Sequence, residues 1–190
     1  MFKYFVSILF CWFVYSGLPA TVNTDDQALL LRLDKMIKHR DEYRLKVERE
    51  IADVNRTLFY ADNDKSRFDL LGTLFTKYRS FRIDSAMIIA KERLRLAEIL
   101  GDENLINQGL MNVADAMNKM GKYENALLTL DSVKRTEEVK KDTYFYYLYH
   151  TVYSSFYNDV IDDSEKQIAW QKMKVYRNTL VAVSDPSSSS

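Results

Sequence analysis

From Ala28 to Tyr60 the chain has neither glycine nor proline, and Leu33, Ile37, Arg40, Arg44, Val47, Ile51, Val54 and Leu58 recur in steps of four and three. That period marks one face of a helix. Two arginines interrupt the stripe, and Lys46, Glu48, Arg49 and Glu50 charge the opposite face. The pattern predicts one long helix, or two joined near residues 39–41; its heptad run is too short to prefer a dimeric coiled coil. A polar loop follows at 61–66, where Ser66 and Asp69 have the spacing of a capping box. Phe68, Leu71, Phe75 and Tyr78 then stripe a helix over 67–79. Asp84 or Ser85 is the expected cap of a helix running to Leu100, with Gly101 placed as its C-terminal stop. Helices at 104–119 and 123–133 are split by Gly121. A polar connection occupies 134–141, a tyrosine-rich helix 142–157, and Asp162 to Ser164 caps a last helix reaching Ala182.

The pattern is all-α, with three helix pairs over 67–100, 104–133 and 142–182. The middle pair carries the most specific signal. Leu110, Val113 and Ala114 precede Gly121-Lys122-Tyr123-Glu124-Asn125-Ala126. Here a small residue in each helix permits close approach, a glycine ends the first helix and an aromatic follows the turn. This segment resembles a tetratricopeptide repeat (TPR), with Ala114, Gly121, Tyr123 and Ala126 at its signature positions. The first pair matches mainly through Ala86, with Phe81 where glycine is expected, and the third matches poorly. The resemblance implies a stack of antiparallel helix pairs behind a long N-terminal helix, because an isolated hairpin leaves apolar faces open. A generic helical bundle is the other architecture that fits.

Length and composition agree with this picture. The chain has 190 residues, 47 % hydrophobic and 28 % charged, with only 5 Gly and 2 Pro. One domain with a sizeable core is expected. Formal net charge is zero, so the basic face needed for nucleic-acid binding is not expected in this region.

Residues 1–20 differ from the rest. Lys3 is followed by an apolar run from Tyr4 to Tyr15 and then by Ser16-Gly17-Leu18-Pro19-Ala20. This is the pattern of a secretory signal peptide, too short for a comfortable membrane span of about 20 residues. An uncleaved anchor is the alternative, and the leader is the only feature expected to touch a membrane. The chain then divides into a leader (1–20), a helical domain (21–183) and a disordered tail (184–190). The single cysteine, Cys11, lies in the leader, so the mature chain would hold neither a disulfide nor a thiolate metal site. Export to a bacterial periplasm is the expected localisation.

A wider resemblance rests on Leu33-Asp34-Lys35, Tyr43-Arg44-Leu45-Lys46 and Tyr78-Arg79-Ser80-Phe81-Arg82-Ile83-Asp84-Ser85-Ala86, together with the leader. These segments resemble the N-terminal helical region of a family of exported bacterial TPR-like proteins. Members of that family continue into a transmembrane helix, a cytoplasmic coiled coil and a regulatory or DNA-binding tail. The resemblance implies an extracytoplasmic sensor or scaffold and leaves its ligand open.

Candidate chemistry is sparse. His39 and His150 are the only histidines and share no metal-binding spacing. Asp62-Asn63-Asp64 opens like a calcium loop, but Arg67 and Thr73 stand where such a loop needs Gly and Glu. No phosphate loop or nucleophile elbow is present. Neither a cofactor nor a metal is expected, and the chain is read as a non-enzyme that binds a protein or peptide, a second copy of itself being a further candidate partner.

The site-like feature is the row of aromatics between Tyr144 and Tyr157. If the first helix of each pair lines a concave groove, the predicted partner-binding residues are Phe75 and Tyr78, then Met111, Asp115 and Asn118, then Tyr146, Tyr149 and Tyr153. Aromatics with a polar tip suit such contacts. Packing of the same tyrosines against the next helix is the competing explanation. This register gives the groove none of the Lys or Arg residues with which some TPR domains clamp a peptide carboxylate.

Overall fold

The computed structural model describes residues 24–184, so the expected leader and residues 185–190 of the expected tail lie outside the described residues. Among the described residues there are eight helices and no strand: α1 (Thr24–Phe59), α2 (Asp64–Tyr78), α3 (Ile83–Leu100), α4 (Glu103–Lys119), α5 (Tyr123–Asp131), α6 (Glu137–Lys140), α7 (Thr143–Asp159) and α8 (Asp163–Ser184). None of them is long and apolar enough to cross a membrane.

The chain divides into two units, one ending at Lys46 and the other beginning at Val47. In the first, Leu33 and Ile37 are exposed, as are Leu29, Leu30, Leu31 and Met36. In the second, the rest of the α1 stripe is used: Val47 and Ile51 are buried with Leu71, Leu74 and Leu96, and Val54 and Leu58 pack alongside. α1 has no break at residues 39–41, where Arg40 is exposed.

In the second unit α2 pairs with α3, α4 with α5 and α7 with α8. Small residues set the spacing between them. Phe75 sits among Ala86, Ala90, Val113 and Ala116, which joins the first pair to the second. Met111, Ala114, Ala126, Leu130, Phe145, Leu148 and Val152 join the second to the third. Gly109 brings α4 against α3, since a Cβ built on it would stand 2.8 Å from the Leu94 Cα.

Two expected helix starts are corrected. Asn63, not Ser66, caps α2: its extended backbone lets the side-chain oxygen accept from the Ser66 amide at 2.8 Å, which places Ser66 inside the first turn. Asp69 is consequently free of any capping role and binds Lys65 instead. α3 begins at Ile83 after Arg82, without a side-chain cap, rather than at Asp84 or Ser85. The stops follow expectation. Gly101 has φ 66° and Gly121 φ 73°. At Gly121 the Lys122 amide donates to the Met117 carbonyl and the Gly121 amide to the Asn118 carbonyl, a Schellman closure that only a left-handed residue completes.

The connection at 134–141, expected to be merely polar, contains the one-turn helix α6. Thr136 caps it, and Val139 is buried in the core. Buried Asn107 fixes this connection to α4 by donating to the Lys134 carbonyl and accepting from the Lys134 amide, both at 3.0 Å.

Candidate functional site

A groove of about 440 Å³ crosses the first helices of all three pairs. α2 contributes Asp69, Gly72, Thr73, Phe75 and Thr76, and its C-cap contributes Arg79; α4 contributes Asn112, and α7 contributes Tyr144. Arg93 enters from α3, the second helix of the first pair. It reaches the groove because Gly72 has no side chain, and a Cβ there would stand 2.8 Å from the Arg93 Cζ.

Two polar networks hold these side chains. In the first, Arg93 Nε donates to the Phe68 carbonyl at 3.2 Å, Nη2 to Gln108 Oε1 at 3.0 Å and Nη1 to Asn112 Oδ1. The guanidinium also lies 4.0 Å over the Phe68 ring, a cation–π contact. Burial lowers the Arg93 pKa from its usual value, opposed by the nearby charge of Asp69. In the second network, Arg79 pairs with Asp115 at 2.9 Å. The Tyr144 hydroxyl donates to the same Asp115 oxygen at 3.0 Å and accepts from Arg79 at 3.2 Å. Burial, with the adjoining Asp115 carboxylate, pushes the Tyr144 pKa well above the ordinary phenol value. Tyr144 therefore stays a neutral donor that satisfies a buried carboxylate.

Of the predicted partner-binding residues, the groove lining takes in Phe75 and none of the others. Met111 and Tyr149 are buried in the core and do not line the groove, whereas Phe75, also buried, is part of its lining. The physical reason is that the first helix of each pair packs on its own partner and on the next pair, so its large apolar stripe points inward. On α4 the groove residue Asn112 follows buried Met111, about 100° further round the helix. The groove is polar as a result, and Arg79 and Arg93 line it where no basic residue was expected. Of the remaining predicted residues, Asp115 is buried beneath the groove as the partner of Arg79 and Tyr144. Asn118 is buried, and its Oδ1 has no hydrogen-bond partner. Tyr78 stacks on Phe81. Tyr146 donates to the Lys140 carbonyl.

The tyrosine row chiefly joins α7 to α8. Tyr149 and Tyr176 stack at 4.3 Å with their planes 7° apart, and Tyr153 stacks on the same Tyr176. Arg135 lies 4.2 Å over the Phe145 ring. Of the signature positions, Ala86, Ala114 and Ala126 are fully buried, and Tyr123 packs edge-on against Phe156. The His150 ring lies against the Met173 carbonyl and His39 beside Glu42. No group of His, Cys, Asp or Glu among the described residues is arranged to hold a metal ion.

Arg93 and Gly72 escaped the sequence reading, although each carried a signal. Ala86, Ala90, Arg93 and Ala97 fall in steps of four, three and four, so Arg93 sits on the buried stripe of α3. Gly72 lies in the interior of a helix, where glycine is unfavourable by about 1 kcal/mol relative to alanine.

Paired helices packed through small residues, with a polar groove along the first helix of each pair, define a TPR-type helical repeat, a non-catalytic fold of the protein-interaction class. The model of one such family, described as the SusR N-terminal TPR domain, matches residues 37–190. The chain belongs to that family. No curated protein and no solved structure matches it.

Proposed function

We propose that this chain is a non-enzymatic recognition scaffold, exported by its N-terminal leader, that holds a peptide or protein partner in the groove between α2, α4 and α7. The observation that carries this reading is the groove itself. Its polar groups come from all three helix pairs and are fixed by hydrogen bonds before any partner arrives, which lowers the ordering cost of binding. A photo-crosslinking amino acid at Thr76, in the groove, is expected to capture a discrete protein or peptide in the producing cell, and the same group at exposed Lys91 is not. Equal capture at both positions, or none at Thr76, would sink the reading. Export predicts a purified chain whose N-terminus lies near residue 21.

A second reading follows from the family description, in which the matched domain is N-terminal. In it the chain is the sensory region of a membrane-anchored bacterial regulator, and partner binding in the groove changes helix packing. This reading predicts that the native gene product sediments with membranes and is protected from added protease only while the outer barrier is intact.

A further inference from the structure

Of the two cations that line the groove, Arg79 and Arg93, Arg93 has no carboxylate of its own. Arg79 holds Asp115, and Asp69, the carboxylate in the groove lining whose charge bears on Arg93, is held through both oxygens by Lys65, at 2.7 and 2.6 Å. Among the described residues no carboxylate lies within ion-pairing distance of Arg93, whose three partners are all neutral carbonyl oxygens. A guanidinium has five N–H donors. Three are engaged, which leaves one on each terminal nitrogen. A half-buried charge balanced only at a distance is stabilised by an opposite charge that reaches it, and Arg93 is accessible from the groove.

We propose that the groove takes an extended acidic peptide segment, with Arg93 as the anchor for a peptide carboxylate. This rests on the groove being the recognition face and names the chemistry it selects. A charge-assisted bond from arginine to a carboxylate is about twice as strong as a neutral one. The neighbouring hydroxyls favour a peptide over a small free carboxylate. Thr73 and Thr76 donate their protons to the carbonyls of Asp69 and Gly72, so they face the groove as acceptors. A row of acceptors beside an anion site matches the alternating N–H groups of an extended backbone. Succinate offers only the charge.

The test is calorimetric titration of the full chain with acetylated, amidated octapeptides of alternating Glu and Gly or Ser, with their Gln twins and with succinate. Alongside it, the Arg93 Nε–Hε signal is followed by nuclear magnetic resonance. The Glu peptides are expected to bind at least about tenfold more tightly than their Gln twins and than succinate, a difference of about 1.4 kcal/mol. They are also expected to shift the Arg93 signal, and Arg93→Gln is expected to erase the preference. Equal affinity of the twins, binding of neither, succinate as tight as the peptides, or a preference that survives Arg93→Gln would each overturn the proposal. The twin comparison needs no variant, so it stands even if Arg93→Gln fails to fold. Thr76→Trp separates the two levels. If twins bind equally and both are lost in Thr76→Trp, only the carboxylate inference falls; if binding survives Thr76→Trp, the groove reading falls with it.

Discussion

Gly72 and Arg93 compete for one volume: a Cβ on Gly72 would meet the Arg93 Cζ at 2.8 Å and Nη2 at 2.9 Å. The obstruction is the far end of a flexible side chain, so Gly72→Ala is expected to move Arg93 rather than unfold the protein. Alanine gains about 1 kcal/mol of helix propensity over glycine, which offsets part of the lost Arg93 hydrogen bonds. The melting temperature should change little while the Arg93 Nε–Hε resonance moves. A large fall in melting temperature with an unmoved resonance would show that Gly72 serves helix packing instead.

Gly109 and Gly121 should respond to alanine for different reasons. At Gly121 space is open and the backbone is the problem, because φ is 73°. Gly121→Ala is expected to lower stability by about 1–2 kcal/mol, and Gly121→Asn by less. At Gly109 the obstruction is the Leu94 backbone, so Gly109→Ala overpacks the α3–α4 contact by about 1–3 kcal/mol. Gly109→Asn should then be worse than Gly109→Ala, the reverse of the order at Gly121. Urea midpoints of the four variants give the comparison.

The buried tyrosines set an alkaline limit. Burial, followed by the neighbouring carboxylate, raises the pKa of Tyr144 and of Tyr149 above 10. Below pH 10 both phenols are neutral whether the chain is folded or not, and their contribution is intact. Above pH 10 the unfolded chain releases protons that the folded chain retains, so stability falls as pH rises. The melting temperature is expected to be flat from pH 8 to pH 9.5 and to decline beyond it. Tyr144→Phe and Tyr149→Phe should each make the decline shallower. Tyrosinate absorbance at 295 nm should show these phenols ionising only with unfolding.

The helices were legible because their faces are periodic and glycines end them. Gly101 and Gly121 could be placed from the sequence since φ above zero has few other occupants. The caps were less legible, since Asn63, Ser66, Asp84 and Ser85 are all competent and the choice depends on where the chain first packs. The groove was misread for a related reason. Tetratricopeptide spacing locates the inward stripe well, as Ala86, Ala114 and Ala126 show, but one residue of rotation separates core from groove. Met111 and Asn112 are neighbours in sequence, and the first is buried in the core while the second lines the groove. Periodicity puts Arg93 on the inward stripe of α3 but not in the groove, because its entry depends on Gly72, 21 positions earlier on another helix.

Asp115 ties the first pair to the third through the second. It is 3 % exposed and takes Arg79 from the C-cap of α2 and the Tyr144 hydroxyl from α7 on one oxygen. Asp115→Ala leaves a half-buried guanidinium and a buried hydroxyl without their acceptor, and is expected to cost about 1–3 kcal/mol. Tyr144→Phe leaves the Arg79–Asp115 pair in place and should cost about 1 kcal/mol. The double variant should be more stable than the sum of the two losses by at least about 0.5 kcal/mol, because the hydroxyl orphaned by the first change is absent after the second. Strict additivity in urea unfolding would mean that Tyr144 contributes through its ring packing alone. In that case the link from α7 to Asp115 would have no share in holding the groove together.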